Sequence, residues 1–335
     1  MTVNEAVPDL VSRQTPLRER KNNTLTVLVP VYNEAQSIKP FLSATLPVLD
    51  ALTDTSDLQI LFINDGSVDE TAKEVMAAIA LDPRISLLNL ARNFGKEAAM
   101  SAGLDISDSD AVVIMDVDLQ DPPELIQKFY NYWLDGYDVV FGERVQRKSD
   151  DWLKRQTAVW FYRLFNTLSP TKIPHNAGDY RLLDRRVVTA LKTIKERNRF
   201  MKGLFSWVGF SAIGVPYERA TRVRGKTKFK FKGLWRFALD GIFGFSTVPL
   251  RLSVYMGIIM ALMAFGYATF LVIRTLMMGI ELPGYASLMV VMLTIGAVQL
   301  FSIGIMGEYI SRLTSEAKQR PLYIVEGHYK HNDRP

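Results

Sequence analysis

Two carboxylates one residue apart, Asp116 and Asp118, follow the apolar run Ala111–Met115 and precede Gln120. Alternate residues of a strand point to opposite sides, but where the chain turns out of the strand both carboxylates can face one crevice. Hard oxygen donors of this kind suit Mg2+ or Mn2+, which bind through one or two carboxylates together with substrate phosphates. Asp-x-Asp also occurs as a plain acidic turn. Its place after an almost wholly apolar strand, and the Gln120-Asp121-Pro122-Pro123-Glu124 that follows, favour the metal reading.

A second polar cluster is split between Val29-Pro30-Val31-Tyr32-Asn33-Glu34 and Asn64-Asp65-Gly66-Ser67, each where a β-branched run turns toward a helical pattern. A carboxylate there can accept hydrogen bonds from a base N–H or from ribose hydroxyls, and Gly66 lets backbone approach closely. Either segment alone also reads as a helix cap and a turn. Farther on, His175-Asn176-Ala177-Gly178-Asp179-Tyr180-Arg181 reads as a polar loop, with His175 more simply a loop residue than a functional one.

The elements that must position these groups alternate in type. Strands are predicted at Leu25–Val31, Leu58–Ile63, Ile85–Leu90, Ala111–Met115 and Val139–Phe141. Helices are predicted after Glu34 to about Leu49, from a cap at Asp69 to about Ala80, from Trp152 to about Leu168, near Arg185–Ile194 and near Met201–Trp207. Such alternation implies an α/β domain with a mainly parallel sheet and helices on both faces. Ligands then sit outside the carboxyl ends of the strands, where the polar clusters fall.

Composition changes after residue 218. Arg219 to Lys232 is rich in Arg and Lys, with Phe229, Phe231 and Trp235 interleaved, and Leu234, Phe237, Ile242 and Phe245 fall on one helix face. An interfacial amphipathic helix over 219–247 is predicted, with a surface helix packed on its own domain as the alternative. Leu252–Ile273 and Leu282–Gly307 are uncharged, and each exceeds the roughly 20 residues that cross a hydrocarbon core. They predict a transmembrane hairpin over 248–311, with spans near 252–273 and 285–307. Arg and Lys concentrate before the first span and after the second, which puts the catalytic domain and both termini in the cytoplasm. Residues 1–23 are polar, without the apolar stretch of a signal peptide, and read as a flexible tail; 312–335 read as a cytoplasmic tail, of which Lys318–Pro335 could mediate self-association. The chain of 335 residues has no cysteine and three histidines, which excludes disulfides and a multi-histidine zinc centre. The net charge of +5 is local to the membrane-proximal segments, and the adjoining hairpin argues against nucleic acid as the partner.

Taken in order, Asn33-Glu34, Asp65-Gly66-Ser67, Arg92-Asn93-Phe94-Gly95-Lys96, Asp116 to Glu124 and Asn176 to Arg181 resemble the family 2 inverting glycosyltransferases of the GT-A fold. Within that family the chain is similar to the polyprenyl-phosphate glycosyltransferases, most of all the bactoprenol glucosyltransferases, over about Thr24 to Ser315. The resemblance implies a GT-A domain over 24–218, a UDP-sugar donor, a polyprenyl phosphate acceptor and Mg2+ or Mn2+. It implies that Pro30, Tyr32, Glu34 and Asp65 hold the uridine part, with Gly66, Lys96, Asp116 and Val117 completing the donor site. Asp116, Asp118 and Gln120 would ligate the metal, and Asp118 and Asp179 would stand at the reacting centre. Arg144, Arg181, Arg222 and Lys226 would neutralise phosphate charge, and Trp207 would floor the sugar pocket or pack in the core. Asn64 stands where many relatives carry a second Asp, so Asp65 alone is assigned the uracil contact. The same chemistry with mannose or an aminopentose, and a tethered nucleotide-sugar binder without turnover, are the competing readings. The partners implied beyond the substrates are the bilayer, a second copy of the chain, and a downstream flippase and polytopic glycosyltransferase.

Overall fold

The computed structural model describes residues 23–52, 55, 57–145, 167, 172–174, 176–197, 199–218, 246–278 and 284–331. The helix predicted from Trp152, apart from Thr167, residues 219–245 of the predicted basic and amphipathic segment, and His175, Arg222 and Lys226 lie outside the described residues.

The first strand, β1 (Leu25–Val31), is buried along nearly its whole length because it lies inside the sheet with helices on both faces. Its alternate side chains divide the core in two. Leu25, Val27, Val29 and Val31 join one cluster with Ile38, Phe41 and Leu49 of α1 (Ala35–Asp50) and with Phe129 and Trp133 of α4 (Leu125–Leu134). Leu28 points the other way, into a cluster with Ala99, Met100 and Leu104 of α3 (Lys96–Ile106) and Val187 and Leu191 of α5 (Arg185–Thr193).

β2 (Leu58–Asn64), α2 (Thr71–Leu81), β3 (Ile85–Leu90) and β4 (Ala111–Ile114) complete the parallel core. With β5 (Val139–Val145), β6 (Ala177–Asp184), β7 (Ala212–Glu218) and β8 (Val325–Tyr329), the full order is β7-β5-β6-β4-β1-β2-β3-β8. β2 and β3 extend the sheet to one side of β1, and β4 lies on the other. The order therefore reverses between β1 and β4, and a crevice opens beyond their carboxyl ends.

Three strands depart from expectation. The stretch predicted as a polar loop around Asp179 is β6 (Ala177–Asp184), antiparallel to β4 and to β5 (Val139–Val145). Its polar composition disguised it: Asp179 and Arg181 are held by partners that only the neighbouring elements supply. β7 (Ala212–Glu218) lies outside β5, parallel to it. The third, β8 (Val325–Tyr329), lies in the segment predicted as a tail and pairs antiparallel with β3. Ala91 N–H donates to Ile324 O at 2.9 Å just before that pairing. The edge that β3 would otherwise leave as an open row of backbone donors and acceptors is thereby covered.

Helix α6 (Met201–Trp207) matches its prediction, and α7 (Val248–Met278) and α8 (Tyr285–Ala317) overrun the predicted spans. At 1.5 Å per residue the pair measure roughly 46 and 50 Å, longer than a hydrocarbon core of about 30 Å. Both are apolar enough to cross a membrane over Val248–Met277 and Leu288–Ala317. The overrun of α8 carries Glu308, Arg312 and Glu316, spaced four apart. Arg312 Nη2 pairs with Glu308 at 2.8 Å, and Glu316 Oε1 accepts Arg197 N–H at 2.7 Å. The polar end of α8 thus docks on the sheet domain, and β8 follows it there.

Candidate active site

The turn after β1 and the turn after β2 are built as one unit. Asn33, at φ 53°, donates its N–H to Ser67 Oγ and accepts Val68 N–H at its side-chain oxygen, both at 2.9 Å. Glu34 N–H donates to Thr71 Oγ1 at 2.9 Å, and the Glu34 carboxylate accepts Ser37 Oγ. Asn64 accepts Ser67 N–H and donates to Asn89, which makes it a turn organiser at 4% exposure. Asp69 accepts Thr71 N–H at 3.0 Å, the capping contact foreseen for it, although Glu70 occupies the cap position.

Asp65 grips the next loop. Its two carboxylate oxygens accept Phe94 N–H at 2.7 Å and Gly95 N–H at 2.9 Å. Burial pushes its carboxyl above the usual range, against the pull of those two donors and of the Arg92 charge. Each oxygen retains an acceptor site, because a carboxylate offers about four in all. The close backbone approach foreseen at Gly66 is made within the protein: at φ +64°, a Cβ there would lie 2.3 Å from the Arg92 carbonyl carbon. Only glycine fits between the two loops.

The gripped loop delivers Lys96, first residue of α3, into the crevice. Its Nζ lies 2.6 Å from Asp116 Oδ1 and 2.8 Å from Asp179 Oδ2. Burial disfavours the ammonium, but the charges of Asp116 and Asp179 more than offset it and hold Lys96 firmly protonated. Burial likewise opposes the Asp179 carboxylate, and Lys96 and Lys202, with Arg181 adding to them, still hold its pKa well below the usual value. Asp179 Oδ1 is buried with no hydrogen-bond partner among the described residues. An unmet buried acceptor beside a charge pair marks a place shaped for a further donor or cation.

Asp118 is 8% exposed and accepts Gln120 N–H at 3.2 Å across a turn that puts Leu119 at φ 55°. This bend brings the acidic pair out of β4, and Val117 between them is buried in the core. The donor types, two carboxylates and an amide oxygen in sequence at the strand end, suit a hard divalent ion, although no cluster of three or more acidic or histidine side chains able to hold a metal occurs among the described residues. Tyr32, at 37% exposure, stands at the same end of β1 beyond Pro30.

Arg144 on β5 is fixed by the far side of the same turn. Its Nε donates to Tyr217 Oη at 3.1 Å, Tyr217 donates to Asp121, and Arg144 Nη2 lies 3.8 Å from Asp121. Its side chain remains 30% exposed, compatible with a phosphate contact. Arg181, expected to neutralise phosphate charge, is 4% exposed, stacks 3.9 Å over the Phe205 ring and donates to Gly178 O at 2.5 Å, and its charge acts on Asp179 from within the protein. Trp207 is 60% exposed at the end of α6, which removes core packing and leaves it without a described place in the pocket wall.

Four residues of this site escaped the sequence reading. Glu97 accepts Met201 N–H at 3.0 Å, and burial with repulsion from Asp179 pushes its carboxyl up to about 7. Lys202 adds positive charge to both acids. Asp121 and Tyr217 form the buried link behind Arg144. Glu97 in a first helical turn reads as a dipole partner, and nothing local distinguishes it from one.

A mainly parallel sheet with polar strand ends gathered at its β1/β4 switch point is the arrangement of a nucleotide-binding α/β domain. Residues 26–191 match Glycosyl transferase family 2, and residues 248–313 match the GtrB C-terminal hairpin. A bactoprenol glucosyl transferase derived from prophage SfII in Shigella flexneri is 45% identical over 92% of this chain and 99% of its own. An uncharacterized glycosyltransferase of Synechocystis is 46% identical over 90% of this chain and 94% of its own. A prophage bactoprenol glucosyl transferase homolog of Escherichia coli is 44% identical over 90% and 98%. The chain belongs to glycosyl transferase family 2, with a hairpin that associates it with a membrane.

Proposed function

We propose that this protein transfers glucose from a UDP-sugar to a polyprenyl phosphate at the cytoplasmic face of a bacterial inner membrane, inverting the anomeric centre. The observation that carries the reading is the convergence of Asp116, Asp179 and Lys96 at the β1/β4 crevice of a domain tied to two bare apolar helices. The kinship with bactoprenol glucosyl transferases supports glucose and the lipid acceptor. Because β8 returns to the sheet after α8, the segments before and after the hairpin belong to one compartment. The excess of Arg and Lys beside the helices supports the cytoplasm as that compartment.

In this reading Pro30, Tyr32, Glu34 and Asp65 receive the uridine, and Asp116, Asp118 and Gln120 would hold Mg2+ or Mn2+ against the diphosphate. A divalent ion bound there neutralises charge developing on the leaving oxygen, a contribution of several kcal/mol. Arg144 orients the acceptor phosphate, with Arg222 and Lys226 assigned the same task in the membrane-proximal segment. A phosphate oxygen forms the new bond to the anomeric carbon while the bond to UDP breaks, its electron pair leaving with UDP. A phosphate monoester, with a second pKa near 6, needs no strong base for this attack. Asp179, held ionised by Lys96, orients the acceptor or the sugar hydroxyls.

The test is incubation of the purified full chain with undecaprenyl phosphate and UDP-glucose, GDP-mannose or a UDP-aminopentose. Mass and anomeric NMR then identify the product. A β-linked glucosyl lipid phosphate, lost on chelation, is expected. Product from GDP-mannose alone, a retained α-anomer, or donor binding without turnover would each refute the assignment it touches.

A further inference from the structure

The crevice contains a cation of its own. Ile114 pairs with Arg181 where β4 ends against β6, and Asp116 and Asp179 each lie two residues beyond that last pair. Two carboxylates gathered around one point repel each other. Lys96 lies between them, at 2.6 and 2.8 Å. It arrives there because Asp65 fixes the Phe94 and Gly95 amides and Gly95 adopts φ 99°, a backbone state that sets the direction of the first helical residue. The lysine side chain is 36% exposed and that of Asp116 27%, so the pair forms the wall of an open cleft and can be exchanged for another cation. Asp179 sits deeper, with one oxygen unmet among the described residues.

We propose that Lys96 is an internal counter-ion for the donor site: it holds Asp116 in place before the donor arrives, then yields Asp116 to the entering divalent cation while keeping Asp179. Lysine and metal compete for one carboxylate. The metal is therefore bound weakly alone and tightly with the nucleotide, whose diphosphate supplies the anionic charge that Asp116 otherwise divides between two cations. Lys96 thereby acts as a positioning residue for Asp116. The inference rests on Asp116 being a metal ligand.

The experiment is a Mn2+ titration of the full chain in detergent without donor, read by electron paramagnetic resonance, and repeated with UDP. Lys96→Gln is expected to tighten donor-free Mn2+ binding about tenfold, the order expected when a unit charge a few Å away is removed from a partly exposed site. Lys96→Arg, which keeps the charge, should stay within about twofold of wild type, as should Lys202→Gln, whose charge also acts on Asp179. Thermal melts check that each variant is folded. Unchanged or weakened binding in Lys96→Gln overturns the competition, and equal tightening in Lys202→Gln reduces it to bulk charge. If wild type binds no Mn2+ even with UDP, the metal reading itself fails; if wild type binds but Lys96→Gln is no tighter, only the present inference does.

Discussion

The sheet domain and the helical hairpin follow opposite rules of burial. In the sheet, Val27, Val29, Phe41 and Phe62 are fully removed from solvent. In the hairpin, Phe265 is 75% exposed, Leu276 82% and Leu300 72%. The first region buries its own apolar surface, and that rigid packing can hold Lys96 within hydrogen-bond distance of both Asp116 and Asp179. The second leaves its apolar surface to lipid and keeps its polar contacts for the ends: Glu316 on the Arg197 amide, and Tyr309 Oη donating to Ser246 O at 2.7 Å. Chemical precision belongs to the first region, and the second confines it to a membrane.

The sharpest way to break this contrast is a matched pair of truncations. Phe41→Ala in the sheet core should lower stability by about 3–5 kcal/mol, whereas Phe265→Ala on the hairpin should stay within roughly 0.5 kcal/mol. Denaturant melts of both variants in detergent measure this, and equal losses would show that the hairpin packs like a soluble core. Next comes Asp118→Asn. It should cut turnover by roughly 100-fold, about 3 kcal/mol of transition-state stabilisation, with the melt unchanged. Near-normal turnover would remove Asp118 from the reacting centre.

A smaller effect tests the connection between the regions. Deleting 320–335 removes β8 and reopens the β3 edge, so the sheet domain should lose about 1–3 kcal/mol and aggregate more readily, while membrane extraction is unchanged. The smallest effect concerns pH. Glu97 has a pKa raised to about 7 by burial and by Asp179. A raised folded pKa means that its contribution is complete below about 4.5, the ordinary value, and is lost as pH climbs through 7. Wild type should therefore lose stability between those limits relative to Glu97→Gln. Melting temperatures across pH 5 to 8 measure the difference, and parallel profiles would mean that Glu97 is not strained by its neighbours.

Periodicity and punctuation located most of this architecture. The apolar runs at Leu25–Val31 and Ala111–Met115 could only be buried strands, and two uncharged stretches longer than 20 residues could only be long apolar helices. The turns ending in Glu34, Asp65 and Asp118 were legible because helix-linked parallel strands put such residues at one end of the sheet. β6 was not, since Ala177-Gly178-Asp179-Tyr180-Arg181 has no local strand pattern; it is a strand because β4 and β5 flank it. β8 depends on a partner more than 230 residues earlier in the chain.

The amino-acid sequence alone therefore determined which groups are available: acids and amides at strand ends, basic residues, two apolar helices. Their types and local spacing are properties of neighbouring residues. Tertiary structure decided which groups meet. Arg181 and Arg144 look alike as sequence, yet one is stacked in the core on Phe205 and the other is held at the cleft by Tyr217. Lys96 carries no sign of its two acids until the fold brings Asp116 and Asp179 to 2.6 and 2.8 Å from its ammonium. Charge interactions act through space and fall off within a few Å, so their partners exist only once the chain has closed.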